Sequence, residues 1–360
     1  MLLSEIILQS SLGALQLQST DGSFPEGCNG PYHDPETPVR NTAHWLITML
    51  KAYEISHEEK FMESAWRAVQ YLISPSARPM NATFYCRTNP EKDFCNGLIG
   101  QAWVIEALVI AGRKLNDPQY IEVARNVFML HPFDSKAGLW RRVNVDGSYN
   151  SFDMTFNHQL WFAASGAQFG DDLINSQIAL FMDRTMESHL GLDQSGRIIH
   201  AVSRPFAKTN RRFDLISFFR RSKGSNGNSR VVEKEIGYHA FNMYAFCILR
   251  QCLPELPFWQ SSKFIHALSF INNEEFVRGL ENNIYGYPYN PPGFEVALTI
   301  QEFSSYLLFS KSREWWVEQQ LHRCYDSEKK MLMNSTEDSK TLSARLYEAT
   351  RLKDMEIQPT

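Results

Sequence analysis

Two stretches of the chain are apolar almost all the way round, and each is followed by a partner that is apolar on one side only. "NTAHWLITML" (41–50) and "GQAWVIEALVIAG" (100–112) leave no polar face, which is how a helix buried on every side reads. After each comes a short polar break, "SHEE" or "NDP", which supplies helix-capping residues and, in the second, a proline for a first turn. Beyond the break, Phe61, Ala65, Val69 and Leu72, or Tyr120, Ala124 and Phe128, recur at helical spacing among charged residues. The two units superimpose at a constant offset of 59 residues, which carries Ala43 onto Ala102, Ala52 onto Ala111 and Phe61 onto Tyr120. Similar apolar starts occur at "FNHQLWFAASGA", "GYHAFNMYAFCIL" and "PPGFEVALTIQEFSSYLL".

Helical pairs of roughly 60 residues leave space for about six of them. A ring of buried inner helices wrapped by amphipathic outer ones is the simplest way to bury both types. The pattern therefore predicts an all-α fold, an (α/α)6 toroid, over residues 1–325. A basic and flexible insertion is expected at about 204–235, and a polar C-terminal segment with one helix at 326–360. In such a ring the loops entering the inner helices gather at one end, and here they are rich in polar and aromatic residues, as in "DGSFPEGCNGPYHDPETPVRN" and "RRVNVDGSYNSFD".

Composition narrows the choice of partner. The 360 residues are 43% hydrophobic and 21% charged with a net charge of −4, which excludes a basic nucleic-acid-binding surface. No stretch reaches the roughly 20 apolar residues of a membrane span. The first residues lack the basic start of a signal peptide, and the six cysteines show neither metal spacing nor a disulfide framework. A cytoplasmic protein is expected, with no cofactor and no metal. Its 8 Trp, 14 Tyr and 24 Phe suit a sugar-binding cleft as well as a core.

Candidate chemistry lies at the predicted helix mouths. Asp153 precedes an inner helix that opens with Asn157 and His158. A carboxylate there serves as an N-cap, and facing a pocket it can serve as acid or base. Cleavage of a glycosidic bond needs a second carboxylate roughly 5–10 Å away. Asp93 precedes the previous inner helix, and Glu295 follows "PPGF". His44, His158 and His239 sit early in three inner helices and could act as base, acid or hydrogen-bond donor. Arg40 and Arg142 offer planar forks for an acidic sugar. Trp140 is a candidate stacking platform, and Asn96 and Tyr238 are further candidates for substrate contact.

The run "FDMTFNHQLWFAAS", with Asp153, Met154, Asn157 and Leu160, resembles the unsaturated glucuronyl and rhamnogalacturonyl hydrolases of glycoside hydrolase families 88 and 105. Asp93, 60 residues earlier, matches the second active-site Asp of those enzymes. The resemblance implies a six-hairpin fold with Asp153 as acid/base and Asp93 as its partner. "GQAWVIEALVIAGRKLNDPQYIEVA" is equally similar to N-acylglucosamine 2-epimerases, and the whole chain looks like six-hairpin proteins of bacterial polysaccharide clusters. The leading expectation is a glycoside hydrolase acting on an oligo- or polysaccharide. The alternatives are a sugar epimerase or polysaccharide lyase using His and Tyr, and a noncatalytic glycan-binding protein.

Overall fold

The computed structural model describes residues 1–203 and 225–358. Helix α1 (Leu3–Leu15) leads into two hairpins, α2 (Val39–Ser56) with α3 (Glu59–Leu72), and α4 (Gly97–Lys114) with α5 (Pro118–Leu130). A small antiparallel sheet of β1 (Phe133–Asp134), β2 (Leu139–Val143) and β3 (Tyr149–Phe152) precedes α6 (Phe156–Ala167) and α7 (Asp172–Arg184). Next come α8 (Ser225–Cys252), the short outer helices α9 (Ser262–Ser269) and α10 (Glu274–Gly279), and the pair α11 (Pro292–Phe303) and α12 (Arg313–Cys324). A two-stranded turn, β4 (Tyr325–Asp326) and β5 (Met331–Leu332), then leads to α13 (Ser339–Ala344), which continues as a 3-10 helix over Arg345–Arg351.

The division into buried and one-sided helices is the expected one. In α4 every residue from Gly97 to Val109 is buried, whereas α3 buries the stripe Phe61, Ser64, Ala65, Ala68, Val69, Tyr71 and Leu72. Asp117 caps α5 through the Gln119 N–H with Pro118 in the first turn. Helices α2, α4, α6, α8 and α11 pack each on the next, and the 3-10 helix packs on both α11 and α2. The ring thus closes with six inner elements.

The C-terminal segment expected at 326–360 supplies the sixth inner element, with Arg345, Leu346, Tyr347 and Glu348 buried in the core. The outer partner of this last element is α1. The two ends of the chain are sewn together by the Leu2–Glu356 bridge and by bonds from Leu3 N–H to Met355 O (3.0 Å) and Ile357 N–H to Met1 O (2.8 Å). Of the expected insertion at 204–235, residues 204–224 lie outside the described residues. From Ser225 onward the chain is helical rather than a flexible loop. Among the described residues no helix is long and apolar enough to cross a membrane.

One device recurs around the ring and positions the loops. A polar side chain on an inner helix accepts the backbone N–H of an apolar residue in the preceding loop. Thr42 takes Phe24 (2.9 Å), Gln101 takes Phe84 (2.8 Å), Gln159 takes Trp140 (3.0 Å) and His239 takes Ile198 (3.3 Å). Three of these apolar residues follow a glycine with positive φ by two positions: Gly22, Gly138 and Gly196. A glycine turns the chain back there, so the apolar side chain drops into the core while its backbone is satisfied by the helix.

Candidate functional site

The loops and inner-helix starts enclose a cleft of about 180 Å³ at one end of the ring. Asn96 at the mouth of α4, Asn157 and His158 on α6, and Tyr238 on α8 all line it. Tyr32, Trp103, His200, Lys234, Tyr289 and Arg345 complete much of its wall and floor.

Asp153 stands just behind that wall, only 5% exposed. One of its oxygens, Oδ2, accepts from the Leu98 N–H (3.1 Å) and from Nδ1 of His158 (2.8 Å), and Oδ1 accepts from the Thr155 N–H (3.2 Å). Burial alone would raise this carboxyl. The imidazole of His158, the Leu98 N–H and the nearby Arg142 outweigh burial and hold it down to about 2. An ionised Asp153 only accepts, so the hydrogen of this bond is on Nδ1 and Nε2 is the nitrogen left to meet a ligand. His158 is the member of the pair that lines the cleft.

The close approach of this pair to α4 depends on Gly97. Its φ is +59°, and a Cβ there would lie 2.4 Å from Asp153 Oδ2 and 3.0 Å from His158 Nδ1. Asp93 caps the same helix start, accepting the Gly97 N–H at 2.8 Å. It also binds Arg87 (3.0 Å) and Arg142 (2.8 Å). Burial opposes ionisation of Asp93, and the two guanidiniums with the Gly97 N–H overcome it. Arg87 runs on to Asp34 (3.3 Å), which also holds Lys92 (2.7 Å), so a ladder of alternating charges borders the cleft. Arg142 is spent on Asp93 and Ser151 rather than open to a ligand.

Several expected site residues are elsewhere. His239 is wholly buried against Phe270 and Phe276. Because the Ile198 N–H must donate to its Nδ1, its Nε2 donates to Ala267 O (3.1 Å), and burial pushes its pKa down to about 3. It is a loop anchor, not a cleft residue. Trp140 is a core residue of β2, its backbone held at both N–H and C=O by Gln159. His44 is buried between Tyr347, stacked at 4.2 Å, and Trp103. Arg40 lies behind the wall, over the Trp103 ring at 4.1 Å and bonded to Glu36 and Asn29. Glu295 is fully buried with Glu348 around Arg345, at 2.9 and 2.5 Å. Burial, and then the neighbouring Glu348, push its pKa up. It binds the floor of the cleft together from beneath.

Tyr32, Lys234, His200 and Arg345 were not legible as site residues. Tyr32 sits in "CNGPYHD", where an Asn-Gly-Pro turn at a helix mouth is the available signal. Arg345 and Glu348, three apart in the otherwise apolar "LSARLYEA", mark a buried charged pair within a segment whose flanks are polar. Among the described residues no group of three or more His, Cys, Asp or Glu is arranged to hold a metal ion.

The chain matches no protein-family model. The archaeal glycosylation protein Q of Haloferax volcanii is 43% identical over 373 residues, covering 99% of this chain and 98% of that protein. Among solved structures, a sugar epimerase from a ruminal bacterium superimposes with a TM-score of 0.66 at 12% identity, over 96% of this chain and 97% of that one. An unsaturated glucuronyl hydrolase specific for heparin superimposes with a TM-score of 0.61 at 12% identity, over 97% of this chain and 95% of that one. These likenesses bear out the (α/α)6 toroid that the helical pattern predicts.

Proposed function

The chain belongs to the family of the archaeal glycosylation protein Q, and from that premise we propose that it is an enzyme that modifies a sugar by proton transfer. Its relative is named for glycosylation, and its fold neighbours include a sugar epimerase and a glucuronyl hydrolase, which supports a carbohydrate as substrate. The observation that carries the reading is the 2.8 Å bond between Asp153 Oδ2 and His158 Nδ1, with His158 on the cleft. An ionised carboxylate behind an imidazole orients it, sets the hydrogen on Nδ1 and stabilises the imidazolium that forms when Nε2 takes a proton. Asp153 itself, ionised down to about pH 2, is poorly suited to donate a proton near neutrality.

In this reading Asn96 and Asn157 contact the sugar. Asn157 is 2% exposed, and its Oδ1 has no partner within the protein, so a sugar hydroxyl donating to it would satisfy a buried acceptor. Hydrolysis is the second reading. Asp93 and Asp153 cap consecutive N–H groups of α4, which puts two carboxylates at one site as glycosidases require, and His158 would then activate water.

The test is incubation of the protein with neutral and acidic oligosaccharides in heavy water, read by mass spectrometry. Proton transfer to carbon adds one mass unit at constant chain length, whereas hydrolysis shortens the chain. His158→Asn should lower the rate by about 10²–10⁴-fold with an unchanged melting temperature. Turnover that survives this substitution would remove His158 from the chemistry. Sugar binding without any turnover would instead support a glycan-binding protein.

A further inference from the structure

Proton transfer at a carbon needs a group to return the proton, and Tyr32, Tyr238 and Tyr289 line the same cleft as His158. The hydroxyls of Tyr32 and Tyr238 lie 2.9 Å apart, and both residues line the cleft. The Tyr289 hydroxyl donates to Asn29 Oδ1 at 2.7 Å. The orientation of that amide is settled, because Arg40 Nη1 donates to the same oxygen at 3.0 Å. Tyr289 therefore has no hydrogen to offer the pair. Two phenols joined by one hydrogen bond hold two hydrogens between them, and where Tyr238 donates to Tyr32 the Tyr32 O–H is left for the cleft.

The segment carrying Tyr32 is held with unusual care. Asn29, Gly30 and His33 all have left-handed backbones, with φ of 59°, 54° and 48°. Such conformations cost energy at non-glycine residues and persist only where surrounding contacts impose them. Asp338 in the last hairpin accepts the N–H groups of Cys28 (2.8 Å) and Gly30 (2.9 Å). Gly30 lies against the Tyr289 ring, where a Cβ would come within 2.1 Å of Cδ2. The Tyr32 ring rests against Tyr285 and Tyr289, at 5.8 and 6.0 Å. The Lys234 ammonium lies over the same two rings, 5.1 Å from the centre of Tyr32 and 5.7 Å from that of Tyr238.

We propose that Tyr32 is the second proton carrier of the site and that the reaction is epimerisation of a sugar at a carbon next to a carbonyl or carboxylate. This rests on the reading of His158 as base. The dyad comes from the turn after β3 and from α6. The tyrosines come from the loop before α2, from α8 and from the loop before α11, so the two groups border the cleft from different sectors of the ring. His158 Nε2 takes the proton from the C–H, and the electron pair of that bond moves onto the carbonyl oxygen as an enolate forms. Tyr32 gives its hydroxyl proton to the opposite face of the same carbon as the carbonyl reforms. The proton on His158 leaves to water and the phenolate regains one from water, so no co-reactant is consumed.

The experiment uses the full chain in heavy water with D-glucose, D-mannose, D-glucuronate and cellobiose, followed by proton NMR. Wild type should form an epimer carrying one solvent deuterium at the inverted carbon. Tyr32→Phe should lower epimer formation by about 100-fold or more while solvent deuterium still enters the recovered starting sugar. His158→Asn should abolish both. Full epimer formation by Tyr32→Phe would overturn the role of Tyr32 and leave His158 standing. No deuterium in any sugar with wild type would overturn both readings. If Tyr32→Phe melts below the assay temperature, Tyr238→Phe replaces it. Loss of the hydroxyl partner should then slow epimer formation at least 10-fold and shift its pH profile, and an unchanged rate and profile would overturn the proposal.

Discussion

Asp153 shows how the environment of a single residue decides between two roles that its identity leaves open. A carboxylate at a helix mouth can be a cap or an acid/base group, and here it is cap and positioning group at once, while the imidazole beside it faces the cleft. Its depressed pKa makes a measurable contribution to stability. The folded value of about 2 lies below the ordinary 3.8, so the stabilisation is fully present above about pH 4 and is lost as pH falls toward 2. The difference corresponds to about 2 kcal/mol. Urea unfolding of wild type and Asp153→Asn across pH 5 to 2 should show the gap between them shrinking over that range. A gap independent of pH would mean that Asp153 is not held ionised by the fold. Asp153, Asn157 and His158 were legible because they break an apolar helix start. Which of them faces a ligand was not, because one turn of helix turns neighbouring side chains in different directions.

At the scale of elements, four of the loops are tied to the inner helix that follows them. Gln159 bonds Trp140 at N–H and C=O and also reaches Asp153 O at 2.9 Å, so the strand, the loop and the dyad are fixed by one side chain. Gln159→Leu keeps the volume and removes all three bonds, leaving buried backbone groups unpaired at about 1–3 kcal/mol each. We expect a loss of about 3 kcal/mol or more by urea unfolding. A loss below 1 kcal/mol would show that water replaces the anchor. His239 occupies the same role on α8, which explains why three histidines at similar helical positions have three fates. His158 meets a carboxylate and the cleft, His44 an aromatic stack, and His239 a loop backbone. Helical spacing locates each histidine on its own helix but does not name the loop that lands on it.

At the scale of the molecule, the ring depends on its last segment. Residues 339–351 pack between α11 and α2 and bring Arg345 to Glu295, and Asp338 anchors the Tyr32 loop. Deleting residues 338–360 would expose the apolar flanks of α2 and α11 and leave Glu295 buried without its cation. The truncated chain should therefore show no cooperative thermal transition by circular dichroism. A transition near that of the full chain would mean that the ring is stable open. The polar look of the tail hid this role. Its buried core is short, and its charged residues, Arg345 and Glu348, are paired inside the protein rather than solvated.

The chain by itself determined the hairpin repeat, the separation of inner from outer helices and the end of the ring where polar residues gather. Those follow from periodicity, because a helix buried on all sides and a helix buried on one side carry different residue patterns. Only the tertiary structure decided how the ring closes, which histidine faces the cleft and which tyrosines share it. Each of those depends on residues distant in the chain, such as Asp153 with Leu98, Tyr32 with Tyr238, and Arg345 with Glu295. Periodicity reports that a face is buried; the identity of the neighbour that buries it, and with it the charge state and reach of each side chain, exists only once the chain has folded.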